Sequence, residues 1–283
     1  MKKTSIFFLI MSVILIITGS VLRNNAIKDA EKQNIKLFTQ ELTKDKDLVQ
    51  TVELSSVDTN KINIELKDVD INIIGGADRS YAEIYNLNAI EYSAYTNNRA
   101  FTIKSDIISS IIGRAEGGDI SFNGVRDYVR FEKHNNVKKI NIYVASNAAV
   151  KMFDLKINNG NVNIQNIDIE CDYSVNIKNG NITVKNTASI SLLSADIKNG
   201  NINAENVYVA NSDINIENGD LTFSTPSYII YNYNTECEAG DIKYNTETHK
   251  GKFVTENPET NGNFNAHIGV GNITISTIEQ PAE

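Results

Sequence analysis

Gly160, Gly180, Gly200, Gly219, Gly240 and Gly271 follow one another at steps of 20, 20, 19, 21 and 31 residues. A step near twenty, repeated along a chain, marks a stacked array in which each repeat is one supersecondary unit. Every one of these glycines sits inside the same phrase. Five and three places before it stand Leu155 and Ile157, Val175 and Ile177, Ala195 and Ile197, Ile214 and Ile216, Thr235 and Cys237, Ala266 and Ile268. Two and four places after it stand Val162 and Ile164, Ile182 and Val184, Ile202 and Ala204, Leu221 and Phe223, Ile242 and Tyr244, Ile273 and Ile275. Apolar residues at alternate places put one face of a short strand on a core. Each repeat therefore holds two short strands with a bend between them.

The bend is Asn-Gly in four copies, through Asn159, Asn179, Asn199 and Asn218. Asn-Gly is also the leading signal for an antiparallel hairpin, so hairpins compete with stacked coils. Two features favour parallel stacking. The period is nearly constant, and polar residues recur in columns: Asn161, Asn181, Asn201, Asp220, Asp241 and Asn272 follow the glycine, and Asn166, Asn186, Asn206, Thr225, Thr246 and Thr277 lie six places after it. Identical amides stacked at one height can ladder along the array, as in cross-β stacks. Segments such as Ile167-Asp168-Ile169 and Val207-Tyr208-Val209 supply a further face, so a circuit has two or three sides. No coil can bury its apolar side alone, and each Ile that stacking buries contributes about 1.5–3 kcal/mol. The step of 31 before Gly271 reads as an inserted loop over residues 250–263.

Upstream, residues 51–150 show strand alternation without a fixed period, as in Ile62, Ile64 and Leu66, then Val69, Ile71 and Ile73. The stretch 106–130 is the least regular and is expected to form an irregular excursion. Lys2 and Lys3 precede an apolar run from Ser5 to Leu22 that ends at Arg23. A positive start before an apolar run is an export signal, either cleaved or retained as an anchor. The run is long for a cleaved signal and sufficient to span a bilayer, which favours an anchor. Residues 24–50 fit a short helical stalk or a spacer. The expected organisation is 1–23 anchor or signal segment, 24–50 stalk, 51–150 β-rich N-terminal part, and 151–283 repeat array. The expected fold class is all-β, a parallel β-solenoid of about twenty-residue coils behind one N-terminal transmembrane helix.

A net charge of −8 argues against nucleic acid, which needs a basic patch. The two cysteines, Cys171 and Cys237, lie in no metal or redox spacing, and their different offsets from the glycines argue against a disulfide. Cys237 occupies the inward column of Ile157 and Ile177, as a buried small hydrophobe would. His134, His249 and His267 share no column and lack a helical metal spacing. Asp168, Glu170 and Asp172 alternate and could serve acid/base cleavage of a polysaccharide, but solvated outer charge is the simpler reading. No catalytic, cofactor or metal residue is therefore assigned, and no cofactor is expected.

The repeated Gly-Asn/Asp-Ile phrase behind a membrane segment resembles the bacterial putative-adhesin domain family of β-solenoids. Lys67-Asp68-Val69-Asp70-Ile71-Asn72-Ile73 is similar to that family's first strand, and Ile140-Asn141-Ile142-Tyr143-Val144 to the strand leading into its coils. Lys67 replaces the usual Gly, and Ala145 stands where Pro often follows. The resemblance covers residues 51–277. It implies a non-catalytic, adhesin-like interaction or scaffold module at the cell envelope, and some relatives are encoded beside envelope-stress signalling components. The expected partners are the membrane, through the N-terminal segment, and envelope proteins or glycans. The competing readings are a self-associating structural solenoid joined end to end and a polysaccharide-active enzyme.

Overall fold

The computed structural model describes residues 49–54, 59–87, 92–105, 137–187 and 190–279. The N-terminal segment, most of the stalk and the 106–130 excursion lie outside the described residues. Among the described residues the chain is all-β, with 19 strands in one non-closed sheet and no helix. It follows that no described helix is long and apolar enough to cross a membrane.

Each copy of the glycine phrase forms two strands except that of Gly240, which lies within one continuous strand. Before the glycines run β8 (Met152–Asn159), β10 (Cys171–Asn179), β12 (Ile190–Asn199) and β14 (Val209–Asn218). After them run β9 (Val162–Gln165), β11 (Ile182–Lys185), β13 (Ile202–Glu205) and β15 (Leu221–Pro226). The longer strands pair in parallel with one another, as Ile157 beside Ile177 and Ile177 beside Ile197. The shorter strands pair in parallel on their own, as Val162 beside Ile182 and Ile182 beside Ile202. The inward residues of both ladders are buried in one apolar core. The hairpin reading of Asn-Gly therefore fails here, and the coils are two-sided and solenoid-like.

The glycine column has a harder requirement than a bend. Gly180, Gly200 and Gly219 have φ between 146° and 152°, which disfavours a side chain. A Cβ on any of the three would also stand 1.8 Å from the carbonyl oxygen of the glycine one coil below. Beside this column run two amide ladders. Asn179 Nδ2 donates to Asn159 Oδ1 at 2.8 Å, Asn199 to Asn179 at 2.9 Å and Asn218 to Asn199 at 3.2 Å. On the other side, Asn161 Oδ1 accepts the backbone N–H of Asn181, Asn181 Oδ1 that of Asn201, and Asn201 Oδ1 that of Asp220, at 2.8–3.1 Å. The residues six places after the glycine do something else. Asn166, Asn186 and Asn206 take positive φ of 48–55° and turn the chain into the next coil.

Both ends of the stack depart from sequence order. Near the N-terminus, β2 (Lys61–Asp68) and β3 (Asp70–Ala77) form a coil like the others, with Val69 where the glycine would stand. It lies between β8–β9 and the pair β6 (Ala100–Ser105) and β7 (Lys139–Ala145). The antiparallel strands β5 (Tyr92–Asn97), β4 (Tyr81–Tyr85) and β1 (Val49–Glu53) continue outward. At the other end, β16 (Tyr231–Tyr244) passes through both faces and turns back as β17 (Glu247–Val254), its antiparallel neighbour. The last coil in sequence, β18 (Gly262–Val270) and β19 (Ile273–Ile278), sits inside this cap, between β14–β15 and β16.

One expectation changes accordingly. Half of the supposed 250–263 insertion is strand, with residues 250–254 in β17 and 262–263 in β18, and residues 255–261 are connection. The final coil is not the open end; β17 is, and its Lys250 and Lys252 suit an exposed edge.

The capped end is aromatic. Phe223 packs on Phe264 at 4.3 Å between ring centroids, and Tyr244 on Phe253 at 5.0 Å. Tyr231 is buried beside Phe223, and its phenol oxygen accepts the Val209 N–H at 3.0 Å. Burial pushes its hydroxyl up to about 12.

Gly200→Ala is expected to lower stability by about 3 kcal/mol or more, combining backbone strain with the carbonyl clash. Gly251→Ala, at φ 71° with nothing within 4 Å of its Cβ, is expected to cost about 1–2 kcal/mol. Urea midpoints of the two variants compare them; equal losses would refute the close-contact argument. A second expectation concerns pH. The unfolded phenol ionises near pH 10, whereas folded Tyr231 stays neutral to about pH 12. The folded state then binds the extra proton, so stability is full below pH 10 and falls between pH 10 and 12. Wild type is expected to lose about 2 kcal/mol more than Tyr231→Phe over that window in denaturation curves.

Candidate functional site

The residues singled out for chemistry in the sequence do not converge. Asp168 and Glu170 lie in the bend between β9 and β10, exposed, and only Asp172 is on a strand. Asn166 turns the chain there and Ile167 plugs the bend, so the three carboxylates do not line one strand. Glu170 accepts a hydrogen bond from Ser191 Oγ at 2.7 Å. His267 points outward on β18, 3.4 Å from Glu238. His249 lies on β17 with its ring 4.6 Å from that of Phe253. His134 is outside the described residues. Cys171 and Cys237 are buried and free. The Cys237 thiol donates to the Gly271 carbonyl at 3.0 Å, and burial pushes the Cys171 thiol up to about 11. Among the described residues no three His, Cys, Asp or Glu side chains are grouped to hold a metal.

The convergent polar surface lies elsewhere, on the outer face of β4 and β7. In β4, Ala82 and Ile84 face the core, which leaves Tyr81, Glu83 and Tyr85 outward. In β7, Ile140 and Ile142 are buried, so Asn141 and Tyr143 take the outer face. Antiparallel register sets Tyr81 opposite Tyr143 and Glu83 opposite Asn141. The Tyr81 and Tyr143 rings stack at 4.5 Å with 16° between their planes. Glu83 Oε2 accepts from the Tyr85 hydroxyl at 2.8 Å and from the Tyr143 hydroxyl at 3.2 Å. Burial first, then the Glu83 charge, raises the Tyr143 phenol above its ordinary value. Cations flank the rings: the Arg79 guanidinium lies 5.3 Å from the centre of Tyr81, and the Lys139 ammonium 4.4 Å from that of Tyr85. Asn141 Oδ1 accepts from Asn72 Nδ2, and Asn72 Oδ1 from Asn163 Nδ2, both at 2.8 Å.

This surface combines an oriented carboxylate, phenol and amide groups, and stacked rings, on strands whose inner faces are anchored in the core. That is the equipment of recognition: fixed hydrogen-bonding groups beside aromatic area. The signal was present in the sequence as outward residues at i, i+2 and i+4 of β4. Inward alternation identifies such a strand but leaves the roles of its outward residues open.

A model of the family described as Toastrack DUF4097 matches residues 23–276. The chain belongs to this family. Among solved structures, this Toastrack chain is similar to a Clostridium sporogenes protein described as a "putative cell adhesion protein", at 14% identity over 82% of this chain and 99% of that one, with a TM-score of 0.37. A Bacteroides fragilis protein described as a "putative adhesin" matches at 15% identity over 82% and 97%, with a TM-score of 0.40. A Parabacteroides distasonis "putative lipid binding protein" matches at 11% over 82% and 97%, with a TM-score of 0.36. No curated protein matches the chain.

The Glu83–Tyr143 hydrogen bond is testable by a double-mutant cycle with Glu83→Gln and Tyr143→Phe. The expected coupling is about 1 kcal/mol in urea denaturation. Strict additivity of the two losses would show that the pair does not interact.

Proposed function

We propose that this Toastrack protein is a non-catalytic, membrane-anchored extracytoplasmic module that acts as an adhesin-like interaction or scaffold unit at the bacterial cell envelope. The observation that carries the reading is the outward Tyr81–Glu83–Tyr143 cluster. Its side chains contribute little to the core, yet they are ordered against one another at partly covered positions. The stack beneath them supports this role, because laddered coils hold outward side chains at a fixed strand spacing of about 4.8 Å. Lys2 and Lys3 ahead of the apolar run 5–22 support export with the positive end inside and the run kept as the anchor. Residues 24–50 then serve as stalk, 51–150 as the β-rich N-terminal part and 151–283 as a parallel β-solenoid of about twenty-residue coils. The partners proposed for the cluster are envelope glycans or proteins, in a setting that the resemblance links to envelope-stress signalling.

Protease shaving of intact cells tests the placement. The full-length chain should stay with the membrane fraction while its C-terminal part is digested from outside; complete protection of that part would refute it. Binding to isolated cell envelopes tests the recognition surface. Glu83→Ala with Tyr143→Ala is expected to weaken binding at least tenfold while the stack stays folded, and unchanged binding would remove the cluster from the proposal.

A further inference from the structure

We propose that β18–β19 is an exchangeable arm, and that the slot between β14–β15 and β16–β17 takes residues 262–279 from a second copy of this chain, giving a strand-exchanged dimer. Strand order at the capped end is inverted relative to sequence order. The arm is last in sequence but lies inside the cap, with β14 and β15 on one side and β16 on the other. The two walls of the slot match each other in register. Asn211, Asn263 and Asn232 stand in one row, with Asn263 Nδ2 donating to Asn211 at 3.2 Å and Asn232 Nδ2 to Asn263 at 3.3 Å. Gly219, Gly271 and Gly240 stand in another, each within clash distance of the next for an added Cβ. The step from Gly219 to Gly240 is 21 residues, the advance of a single coil, although the two glycines are two coils apart in space. The connection 227–230 carries the chain from Pro226, beside Ile278 on one face, to Tyr231, beside Gly262 on the other, within the reach of about 16 Å that five chain steps allow.

The chemistry of the slot shows what it is built to receive. Asn272 stands between Asp220 and Asp241. Its backbone N–H and Nδ2 donate to Asp220 Oδ1 at 2.8 and 3.1 Å, and its Oδ1 accepts the Asp241 N–H at 3.1 Å. Closing the slot would bring the two carboxylates to adjacent rungs, where like charges repel. An occupant must therefore be extended, carry a neutral amide at that rung, a glycine just before it, and apolar residues where Ile268 and Ile273 lie. Residues 262–279 of this chain meet all of these conditions, and a second copy offers the same segment. The cis arm is held in place by a short connection. Residues 255–261 cross the start of β16, with Thr255 N–H on the Tyr233 carbonyl at 2.9 Å and Asn261 N–H on the Ile230 carbonyl at 2.7 Å. A hinge of that kind is where exchange between protomers arises.

Deleting residues 256–260 from the full-length chain tests the proposal. The remaining link from Val254 to Gly262 has three chain steps, a reach of about 10 Å. Its ends stand two strand spacings apart, about 9.5 Å, and are offset by a further three residues along the strands. The arm then cannot enter its own slot. The expected product is a dimer of twice the monomer mass by light scattering, with β18–β19 amides protected from hydrogen exchange. A folded monomer would overturn the proposal. Should the deletion prevent folding, the unmodified full-length chain is refolded from urea with a tenfold excess of labelled peptide 262–279. The peptide is expected to co-elute with the chain, and its Gly271→Val version is not. Failure of the native peptide to be retained, or equal retention of both peptides, would overturn it.

Discussion

Backbone contact at the glycine column is the constraint on which the rest of the stack depends. Each glycine lies so close to the carbonyl below that no side chain fits between them. That closeness sets the height of every coil at the same edge, and the heights bring the flanking asparagines into reach of one another. The amide ladders on both sides are consequences of this spacing, since a side-chain amide can donate to its neighbour only when the coils advance by one strand spacing. The buried Ile, Val and Leu columns follow in turn, stacked like on like between the two faces. Where Val69 replaces the glycine, the coil stands at the start of the column: Gly160 rests on the Val69 carbonyl. Val69 takes no positive φ, so a β-branched residue is tolerated there.

A one-dimensional stack has two ends to protect, and this chain treats both alike. A coil that is terminal in sequence is placed one layer inside, and a segment nearer the middle of the chain is brought out to cover it. At the start, β2–β3 lies beneath β6 and β7; at the finish, β18–β19 lies beneath β16 and β17. Antiparallel strands then form the outermost layer, where exposed peptide groups invite pairing with other chains. The aromatic rings of Tyr233, Tyr244, Phe253 and Phe264 pack together at the capped end, beside Ile columns continued by Ile268, Ile273 and Ile242. The last coil thus lies between two walls whose registers match but whose Asp220 and Asp241 are kept apart by its Asn272.

The outer surface has a different logic from the core. Most outward positions carry Asn, Asp, Lys, Glu, Ser or Thr, which suit a solvated face. The β4–β7 surface differs because it concentrates tyrosines, a carboxylate and flanking cations on strands that belong to no regular repeat. Outer-face residues on such strands can change without disturbing the glycine column, because the repeat does not dictate what stands there.

Much of the architecture was legible in residues 151–226, where neighbouring coils are about twenty residues apart and every column recurs in the same phrase. The bends, inward columns, amide ladders and the burial of Cys237 follow from that recurrence. The role of Asn166, Asn186 and Asn206 was not, since an Asn in a column can serve either as a rung or as a residue that tolerates positive φ. The Asp168, Glu170 and Asp172 alternation misled for the same reason: a pattern of side chains does not reveal that the backbone turns within it. The Tyr81–Glu83–Tyr143 cluster needed the pairing of β4 with β7, strands separated by more than fifty residues. The sequence by itself determined the coil, because its period is local and its physics repeats. Only the tertiary structure decided the order of coils at the two ends, because Asp70 meets Asn161 across 91 residues and Asn272 meets Asp220 across 52. Matching registers allow more than one stacking order, and contacts at that distance choose between them.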